Sequence, residues 1–260
     1  MIAKKLIDEL CKIEGVEAVC LGGSRVSENN DDKSDYDIYV YYETVPSEEK
    51  REELYKEYCK IYEVANHYWE YEDNCVLKDD IPVDIIFRPV NAFKNDDEVS
   101  QFLLSAKNGY STCFLHNIIT CKIIYDKSSF FTNLQNKFKA KYPEKLRKEI
   151  IERNMKLLHG VLPSYDLQIK KAVKRNDLVS INHRTAGFIE SYFDIIFALN
   201  RITHPGEKKL IKICKEKCKI LPDNFEENLT KLFSSMFSDY DFETLENIVK
   251  EIEKTVQENL

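Results

Sequence analysis

Hydrophobic and polar positions follow two different patterns along this chain of 260 residues. Near the start, apolar residues recur at helical spacing from Ile2 to Ile13, and Gly15 follows them, which predicts a helix that ends near the glycine. Short runs of β-branched and aromatic residues come next and predict buried or half-buried strands. These predicted strands are residues 16–21, 36–42 and 83–87.

The pattern between residues 46 and 89 predicts a helix and further strand structure. Pro46 opens a charged segment that predicts a helix to about Tyr62. Aromatic and β-branched residues then return between residues 64 and 76, and a polar turn at 78–82 precedes the strand that Pro89 ends.

After about residue 126 the strand pattern gives way to long segments with helical period. The predicted helices are residues 144–158, 165–174, 178–200, 208–217, 225–237 and 242–258. The sequence therefore predicts two domains, one of mixed strands and helices at residues 1–125 and an all-helical one at residues 126–260.

Composition and charge narrow the class of protein. Hydrophobic residues make up 43% of the chain and charged residues 32%, which is typical of a globular protein with a substantial core. Lys and Arg number 38 against 45 Asp and Glu, a net charge of −7, so a nucleic-acid-coating role is not expected. The most apolar segment, 188–199, is interrupted by Glu190 and Asp194, and the first residues lack an apolar signal core. We expect a cytoplasmic protein without a membrane partner.

The eight cysteines do not form a recognisable framework. Their closest pair, Cys214 and Cys218, lies four residues apart, and no histidine follows at the spacing of a zinc finger. We expect them to be reduced thiols, as is usual in a reducing compartment.

A glycine-rich segment after the first predicted strand is the first candidate for chemistry. Two glycines there allow the backbone to approach an anion, so Gly22, Gly23 and Ser24 are candidates for binding phosphate oxygens. The alternative interpretation is a plain turn. Arg25 follows and is a candidate for phosphate binding or for an ion pair with Asp31 and Asp32.

Three aspartates in strand-like contexts are the second candidate. Asp35 and Asp37 are two residues apart, so both side chains leave the same face of a strand. Asp84 lies in an apolar strand, where an ionised carboxylate needs a cation or a donor such as Arg88. Together the three carboxylates predict a site for one or two Mg²⁺ ions bound with substrate phosphates.

Other residues have two open interpretations each. Lys208, with its neighbour Lys209, is a candidate for contact with a triphosphate or part of a solvated surface. Glu190 and Asp194, one helical turn apart, are candidates for binding a cationic acceptor or for pairing with Arg184 or Arg201; the nearby His183 is interpreted as structural.

Three aromatic residues close together are also ambiguous. Tyr68, Trp69 and Tyr71 are candidates for stacking on a nucleobase or an acceptor ring, or for packing in a strand.

The order Gly23-Ser24, Asp35-x-Asp37 and a later strand-borne Asp84 resembles the signature of the DNA polymerase β-like nucleotidyltransferase superfamily. The layout is similar to that of bacterial antibiotic nucleotidyltransferases of the kanamycin and lincosamide type. The motif covers residues 20–87, about a quarter of the chain. Residues 197–200 and 205–210 further resemble a segment of uncharacterised bacterial members of this superfamily.

This resemblance implies an α+β fold, in which an N-terminal nucleotidyltransferase fold with a mixed sheet flanked by helices precedes an all-helical C-terminal domain. It also implies an enzyme that moves a nucleoside monophosphate, with ATP as the expected donor, to a hydroxyl and releases pyrophosphate. Asp35 and Asp37 would bind Mg²⁺, and Asp84 would be the third metal ligand, the general base, or both. Gly22, Gly23 and Ser24 would hold the β- and γ-phosphates.

The expected acceptor is a small molecule with a hydroxyl group, such as an aminoglycoside or lincosamide antibiotic. Two alternatives stay open. One is the same chemistry on a protein, as in toxin–antitoxin pairs, or on an RNA end, and the other is a nucleotide-binding module that has lost its chemistry. Nucleic acid is not the expected partner, because no basic stripe stands out in the sequence.

Overall fold

The computed structural model of the chain describes residues 2–26, 34–139, 141–160 and 162–260. The chain forms two compact units, one of Met1–Ser100 with Asn117–Ala140 and one of Gln101–His116 with Lys141–Leu260. The predicted domains, 1–125 and 126–260, are separated by a single boundary in the sequence. The compact units differ from them because residues 101–116 belong to the second unit and residues 117–140 to the first. Residues 117–140 belong to the first unit because residues 122–126 add a strand to its sheet and residues 130–138 form a helix that packs against the sheet.

The described residues of the first unit form a six-stranded mixed sheet. Its strands are β1 Val16–Gly22, β2 Tyr36–Tyr42, β3 Cys59–Asn66, β4 Glu72–Leu77, β5 Pro82–Pro89 and β6 Lys122–Asp126. They lie in the order β3-β4-β5-β2-β1-β6, and β2 and β5 are parallel while the other neighbours are antiparallel. The mixed sheet flanked by helices is confirmed.

Two helices cover one face of this sheet. The helices of the N-terminal half are α1 Ile2–Leu10, α2 Glu48–Tyr58, α3 Asp96–Leu103, α4 Cys113–Thr120 and α5 Phe130–Phe138. The core between α1, α2 and the sheet includes Leu6, Leu10, Ile38, Val40, Tyr55, Val83 and Ile85. Because side chains alternate along a strand, the residues between these core positions lie on the opposite face.

The prediction of a helix to about Tyr62 was wrong. Helix α2 ends at Tyr58, and Cys59 already has the extended backbone of β3. Residues 59–66 pair along their length with β4, with Tyr62 opposite Cys75. The backbone hydrogen bonds of this pairing outweigh the weak helical pattern of the segment.

A buried ion pair joins α2 to β4. The Arg51 guanidinium lies 2.5 Å from Asp73 Oδ1, and both side chains are fully buried. The Tyr55 hydroxyl donates to Asp73 Oδ2 at 2.6 Å and the Ala65 backbone N–H donates to Oδ1 at 2.8 Å. Arg51 also donates to the Tyr71 hydroxyl at 2.6 Å. Each charge is therefore compensated inside the unit.

We expect Arg51→Met to lower the free energy of unfolding by about 3–5 kcal/mol, because it leaves the Asp73 carboxylate buried without its cation. Urea unfolding followed by circular dichroism measures the change. Lys60→Met is the matched control, since Lys60 pairs with Asp80 at the surface and its loss should change stability little. Equal effects of the two variants would contradict this account of the buried pair.

The second unit is helical, as predicted for the C-terminal part of the chain. Its helices in the described residues after 141 are α6 Glu144–Leu158, α7 Tyr165–Lys174, α8 Leu178–Leu199, α9 Leu210–Lys217, α10 Phe225–Ser235 and α11 Phe242–Asn259. The predicted boundaries agree to within one residue except at α9 and α10. Helix α9 begins two residues later than expected because Lys209 has a left-handed backbone (φ +59°), and α10 ends at Ser235, two residues before its predicted end.

The core of the second unit is built around α8. Phe188, Tyr192, Ile195, Ile196 and Leu199 are buried there, and they belong to one hydrophobic cluster with residues of α6, α10 and α11. Within the described residues, no helix has both the length and the apolar character needed to cross a membrane.

Candidate functional site

The glycine-rich segment forms a tight turn after β1. Strand β1 ends at Gly22, which lies opposite Asp37 of β2, and residues 24–26 form a single 3₁₀ turn. Gly23 has a φ of +62°, and a Cβ placed on it would overlap the Asp37 carboxylate, lying 2.8 Å from its Cγ. A Cβ on Gly22 would lie 2.6 Å from Cε2 of Tyr39. Both glycines are therefore required by close contact with side chains of β2.

The three aspartates lie on the face of the sheet opposite the α1–α2 core. Asp37 aligns directly with Asp84 in the parallel pairing of β2 and β5, and Asp35 precedes β2 by one residue. Because Tyr36 and Ile38 are buried in the core, the alternation along β2 places Asp35 and Asp37 on the other face. All three aspartates are half-buried. The predicted convergence of their strands is therefore present.

The carboxylates of Asp37 and Asp84 contact different neighbours. Asp37 lies against Gly23, beside β1, whereas Asp84 Oδ1 accepts a hydrogen bond of 2.7 Å from the side-chain amide of Asn74 in β4. Among the residues that the structure describes, no three His, Cys, Asp or Glu side chains are grouped closely enough to hold a metal ion.

The chemistry of the donor set nevertheless fits Mg²⁺. Carboxylate oxygens are the protein ligands that Mg²⁺ takes, usually one or two of them together with substrate phosphates. Asp35, Asp37 and Asp84 lie on one face of the sheet and are the residues that would supply such oxygens.

The alternative interpretation, in which Arg88 pairs with Asp84, was wrong. Arg88 lies on the same face of β5 as Asp84, but its guanidinium binds Glu70 at 2.6 and 2.9 Å and Asn117 at 3.0 Å. It also lies 4.5 Å above the ring of Tyr39. Arg88 therefore pairs with Glu70 and Asn117, while the side-chain amide of Asn74 supplies the hydrogen-bond donor to Asp84.

Arg25 ties the glycine-rich turn to the start of β2. Its Nε donates to the Ser34 carbonyl at 2.9 Å, a second guanidinium nitrogen donates to the same oxygen, and the guanidinium carbon lies 4.3 Å from the centre of the Tyr36 ring. The alternative partners Asp31 and Asp32 lie outside the described residues. A phosphate contact of Arg25 or Ser24 stays a prediction.

Lys208 belongs to the second unit, where it is exposed in the loop that precedes α9. Its predicted contact with a nucleotide therefore stays a prediction. The eight cysteines, all within the described residues, are free thiols.

Asp194 has a structural role that the sequence did not predict. It is buried, and its carboxylate accepts hydrogen bonds from the Ser111 hydroxyl at 2.6 Å and from the Ser111 backbone N–H and the Asn154 amide at 3.1 Å each. The predicted pairing with Arg184 or Arg201 was wrong for Asp194, since Arg201 binds Glu144 at 2.5 Å. The predicted acceptor role does not suit a carboxylate whose oxygens are already occupied inside the unit.

Burial raises the pKa of Asp194 from 3.8 to about 6, although its hydrogen-bond donors oppose the shift. The folded state therefore holds this proton at pH values where the unfolded state has released it, and the free energy of unfolding falls as the pH rises from about 4 to about 6. Asp194→Asn removes this titration. We expect the free energy of unfolding of this variant, relative to that of wild type, to rise by up to about 3 kcal/mol as the pH increases from 4 to 7, measured by urea unfolding. Parallel stability profiles for the two proteins would contradict the shift.

The aromatic cluster lies in the hairpin between β3 and β4. Trp69 is 90% exposed and Tyr68 is 70% exposed, so the strand-packing interpretation was wrong for both. Tyr71 does pack, since it is half-buried, accepts a hydrogen bond from Arg51 and stacks on His67 with ring centres 5.0 Å apart, but it does not lie in a strand. The aromatic residues Tyr68 and Trp69 are exposed because residues 67–71 form a turn rather than a strand.

Comparison with known families agrees with this geometry. Residues 4–82 match the family model described as "Polymerase beta, Nucleotidyltransferase", and residues 111–210 match one described as "Domain of unknown function (DUF4037)". The first match confirms the resemblance to the polymerase β-like nucleotidyltransferases and the nucleotidyltransferase fold of the N-terminal part. The second contains residues 197–200 and 205–210, which resemble uncharacterised members of the superfamily.

Three solved structures to which this chain shows some similarity are described as nucleotidyltransferase-like or as adenyltransferases. A nucleotidyltransferase-like protein from Exiguobacterium sibiricum is 10% identical with a TM-score of 0.43, over 99% of this chain and 74% of that one. An aminoglycoside 6-adenyltransferase from Bacillus subtilis is 13% identical with a TM-score of 0.31, over 99% and 89%. A spectinomycin adenyltransferase from Enterococcus faecialis, solved with ATP and spectinomycin, is 12% identical with a TM-score of 0.32, over 97% of both chains. No curated protein matches this chain.

Proposed function

We propose that this protein is a Mg²⁺-dependent nucleotidyltransferase that moves a nucleoside monophosphate from a nucleoside triphosphate to a hydroxyl of a small-molecule acceptor. The observation that carries the proposal is the contact between the two predicted motifs: the Gly23 backbone lies against Asp37, and Asp37 is in register with Asp84. A metal-bound triphosphate requires an anion-binding turn and metal-binding carboxylates side by side.

The triphosphate would bind at the turn after β1. The backbone amides of Gly22 and Gly23 and the Ser24 residue would hold the β- and γ-phosphates, because glycines leave room for the phosphate oxygens. Arg25, already fixed at this turn by the Ser34 carbonyl, would add a positive charge to the site. Lys208 is a further candidate for a triphosphate contact. ATP is the expected donor.

Asp35, Asp37 and Asp84 would hold one or two Mg²⁺ ions. When bound, Mg²⁺ neutralises the charge of the triphosphate and of the leaving pyrophosphate. The protein's own contribution is to place three carboxylates on one face of a rigid sheet, with Asp37 and Asp84 aligned on adjacent parallel strands.

In the proposed reaction the acceptor hydroxyl oxygen forms a bond to the α-phosphorus, and the bond from that phosphorus to the β-phosphate bridging oxygen breaks. The products are a nucleotidyl ester of the acceptor and pyrophosphate. Asp84 is the metal ligand, the base that takes the hydroxyl proton, or both. The two roles separate in an Asp84→Asn variant, because a base mutant still binds the Mg²⁺–nucleotide complex while a ligand mutant loses affinity for it.

The acceptor we favour is a cationic small molecule such as an aminoglycoside or lincosamide. The net charge of −7 suits such a partner and does not suit an RNA backbone.

The experiment is a transfer assay with α-labelled ATP, GTP, CTP and UTP in Mg²⁺ against a panel of aminoglycosides and lincosamides. We expect label on a drug and an equal amount of pyrophosphate with one of the nucleotides. Label on a protein or an RNA, with none on any drug, would support the macromolecular acceptor instead. Binding of a nucleotide with no product from any acceptor class would indicate a module that has lost its chemistry.

A further inference from the structure

Asp84 lies at the end of a chain of hydrogen bonds that crosses three strands. The Tyr68 backbone N–H donates to Asn66 Oδ1 at 3.3 Å, and the Asn66 amide nitrogen donates to Asn74 Oδ1. The Asn74 amide nitrogen then donates to Asp84 Oδ1 at 2.7 Å. We call Asn66 and Asn74 the amide relay. It connects the exposed β3–β4 hairpin turn to a carboxylate of the candidate active site.

The two ends of the relay fix the direction of every hydrogen bond in it. A backbone N–H can only donate, so the atom of Asn66 that faces Tyr68 is the oxygen. Asn66 must then present its amide nitrogen to Asn74, and Asn74 must present its own nitrogen to Asp84. An ionised carboxylate only accepts, which agrees with this arrangement. The relay thus directs an amide donor at Asp84 and excludes the flipped orientation of Asn74.

The strand pairing makes this arrangement specific. Asn74 lies directly opposite Asp84 in the antiparallel pairing of β4 and β5, and Asn66 lies opposite Glu72, two residues before Asn74 in β4. Asn66 is buried and Asn74 is half-buried. Inside a partly buried sheet face, a hydrogen bond to a charged group is stronger than one exposed to water.

We propose that Asn74 and Asn66 are positioning residues for Asp84. By occupying Oδ1, the relay holds the carboxylate at one rotation and leaves Oδ2 as the atom available to Mg²⁺ of the nucleotide complex. This inference rests on the proposed function, because it assumes that Asp84 binds the metal of a bound nucleoside triphosphate. Groups that orient a metal ligand in this way typically change metal affinity by about 10–100-fold when they are removed.

The test is isothermal titration of ATP into wild type, Asn74→Ala and Asn66→Asp, once with Mg²⁺ and once with EDTA. Asn66→Asp has nearly the same shape as wild type and still accepts from the Tyr68 N–H, but its carboxylate cannot donate to Asn74 Oδ1. Asn133→Ala is the control, since Asn133 is exposed on α5. Thermal unfolding midpoints show whether each variant is folded.

We expect the ratio of ATP affinity in Mg²⁺ to that in EDTA to fall about tenfold in Asn74→Ala and by a smaller factor in Asn66→Asp. The affinity for ATP in EDTA should not change in any of the variants, and the ratio of the two affinities should not change in Asn133→Ala. A purely structural role of the relay would lower both affinities together, and the Asn66→Asp variant keeps the test decisive even if Asn74→Ala fails to fold.

The outcomes separate the two proposals. If wild type binds ATP more tightly in Mg²⁺ and the folded relay variants keep the same ratio, the positioning role is wrong while the proposed function stands. If wild type shows no Mg²⁺-dependent binding of ATP, GTP, CTP or UTP, the proposed function fails, and the positioning role fails with it.

Discussion

Asp37→Asn is expected to abolish nucleotidyl transfer while the protein stays folded. Asp37 lies at the centre of the candidate site, against Gly23 on one side and in register with Asp84 on the other. Asparagine keeps the shape but removes the negative charge that would bind Mg²⁺. We expect the rate of transfer to fall by roughly a thousandfold or more, as when a preorganised charge-stabilising group is removed from an active site.

Stability should not fall with activity in this variant. Asp37 and Asp84 are like charges on adjacent strands, so removing one of them relieves repulsion. The control is Asp79→Asn in the exposed turn before β5, which changes the net charge equally and should leave the transfer rate unchanged. Pyrophosphate release and thermal unfolding are measured on each protein. Full activity of Asp37→Asn would disprove the metal-site assignment.

Gly23→Ala is expected to have the second largest effect. A Cβ at this position would overlap the Asp37 carboxylate, and the φ of +62° is unfavourable for alanine. The carboxylate is the free end of a side chain and can rotate away, so we expect the fold to survive and the site to be displaced. A shift of about 1 Å at reacting groups costs roughly a hundredfold in rate.

Gly160→Ala separates the steric effect from the backbone effect. Gly160 has a φ of +89°, but a Cβ on it would meet no atom within 4 Å. In both variants the left-handed backbone lowers the free energy of unfolding by about 1–2 kcal/mol. Only the Gly23 variant also places a Cβ against the Asp37 carboxylate. Transfer rates and unfolding free energies are compared for the two proteins. Equal transfer rates in the two variants would show that contact with Asp37 is unimportant.

Much of the fold could be predicted from local patterns. Helices α6, α7 and α11 begin where the sequence predicts, because each has an apolar stripe at helical spacing that packs into one core. Strand β2 was predicted at its observed bounds from its alternating residues. Residues 59–62 were misassigned to a helix because their strand conformation depends on pairing with β4, which no local pattern encodes.

The candidate site could be predicted in its residue types but not in its contacts. Spacing alone places Asp35 and Asp37 on one face, whereas the alignment of Asp37 with Asp84 depends on the parallel register of β2 and β5. Asn74 was missed for the same reason, since only the pairing of β4 with β5 brings it opposite Asp84.

The hydrogen-bond partners of Asp194 could not be predicted from the sequence. Its position in an apolar helix left two interpretations open, binding of a cationic acceptor or pairing with Arg184 or Arg201. Its carboxylate is instead satisfied by Ser111 and Asn154, which lie 83 and 40 residues away in sequence. A buried acidic residue needs hydrogen-bond partners, and those partners can be distant in sequence. Burial of this carboxylate also raises its pKa.

Isothermal titration of ATP into wild type and Asp37→Asn, with and without Mg²⁺, tests whether the glycine turn after β1 and the carboxylates of β2 and β5 together form a site for a Mg²⁺–nucleoside triphosphate complex. We expect wild type to bind ATP at least tenfold more tightly in Mg²⁺ than in EDTA, and Asp37→Asn to lose this difference. Absence of Mg²⁺-dependent binding of any of the four nucleoside triphosphates to wild type, or an undiminished difference in Asp37→Asn, would contradict the assignment of this site.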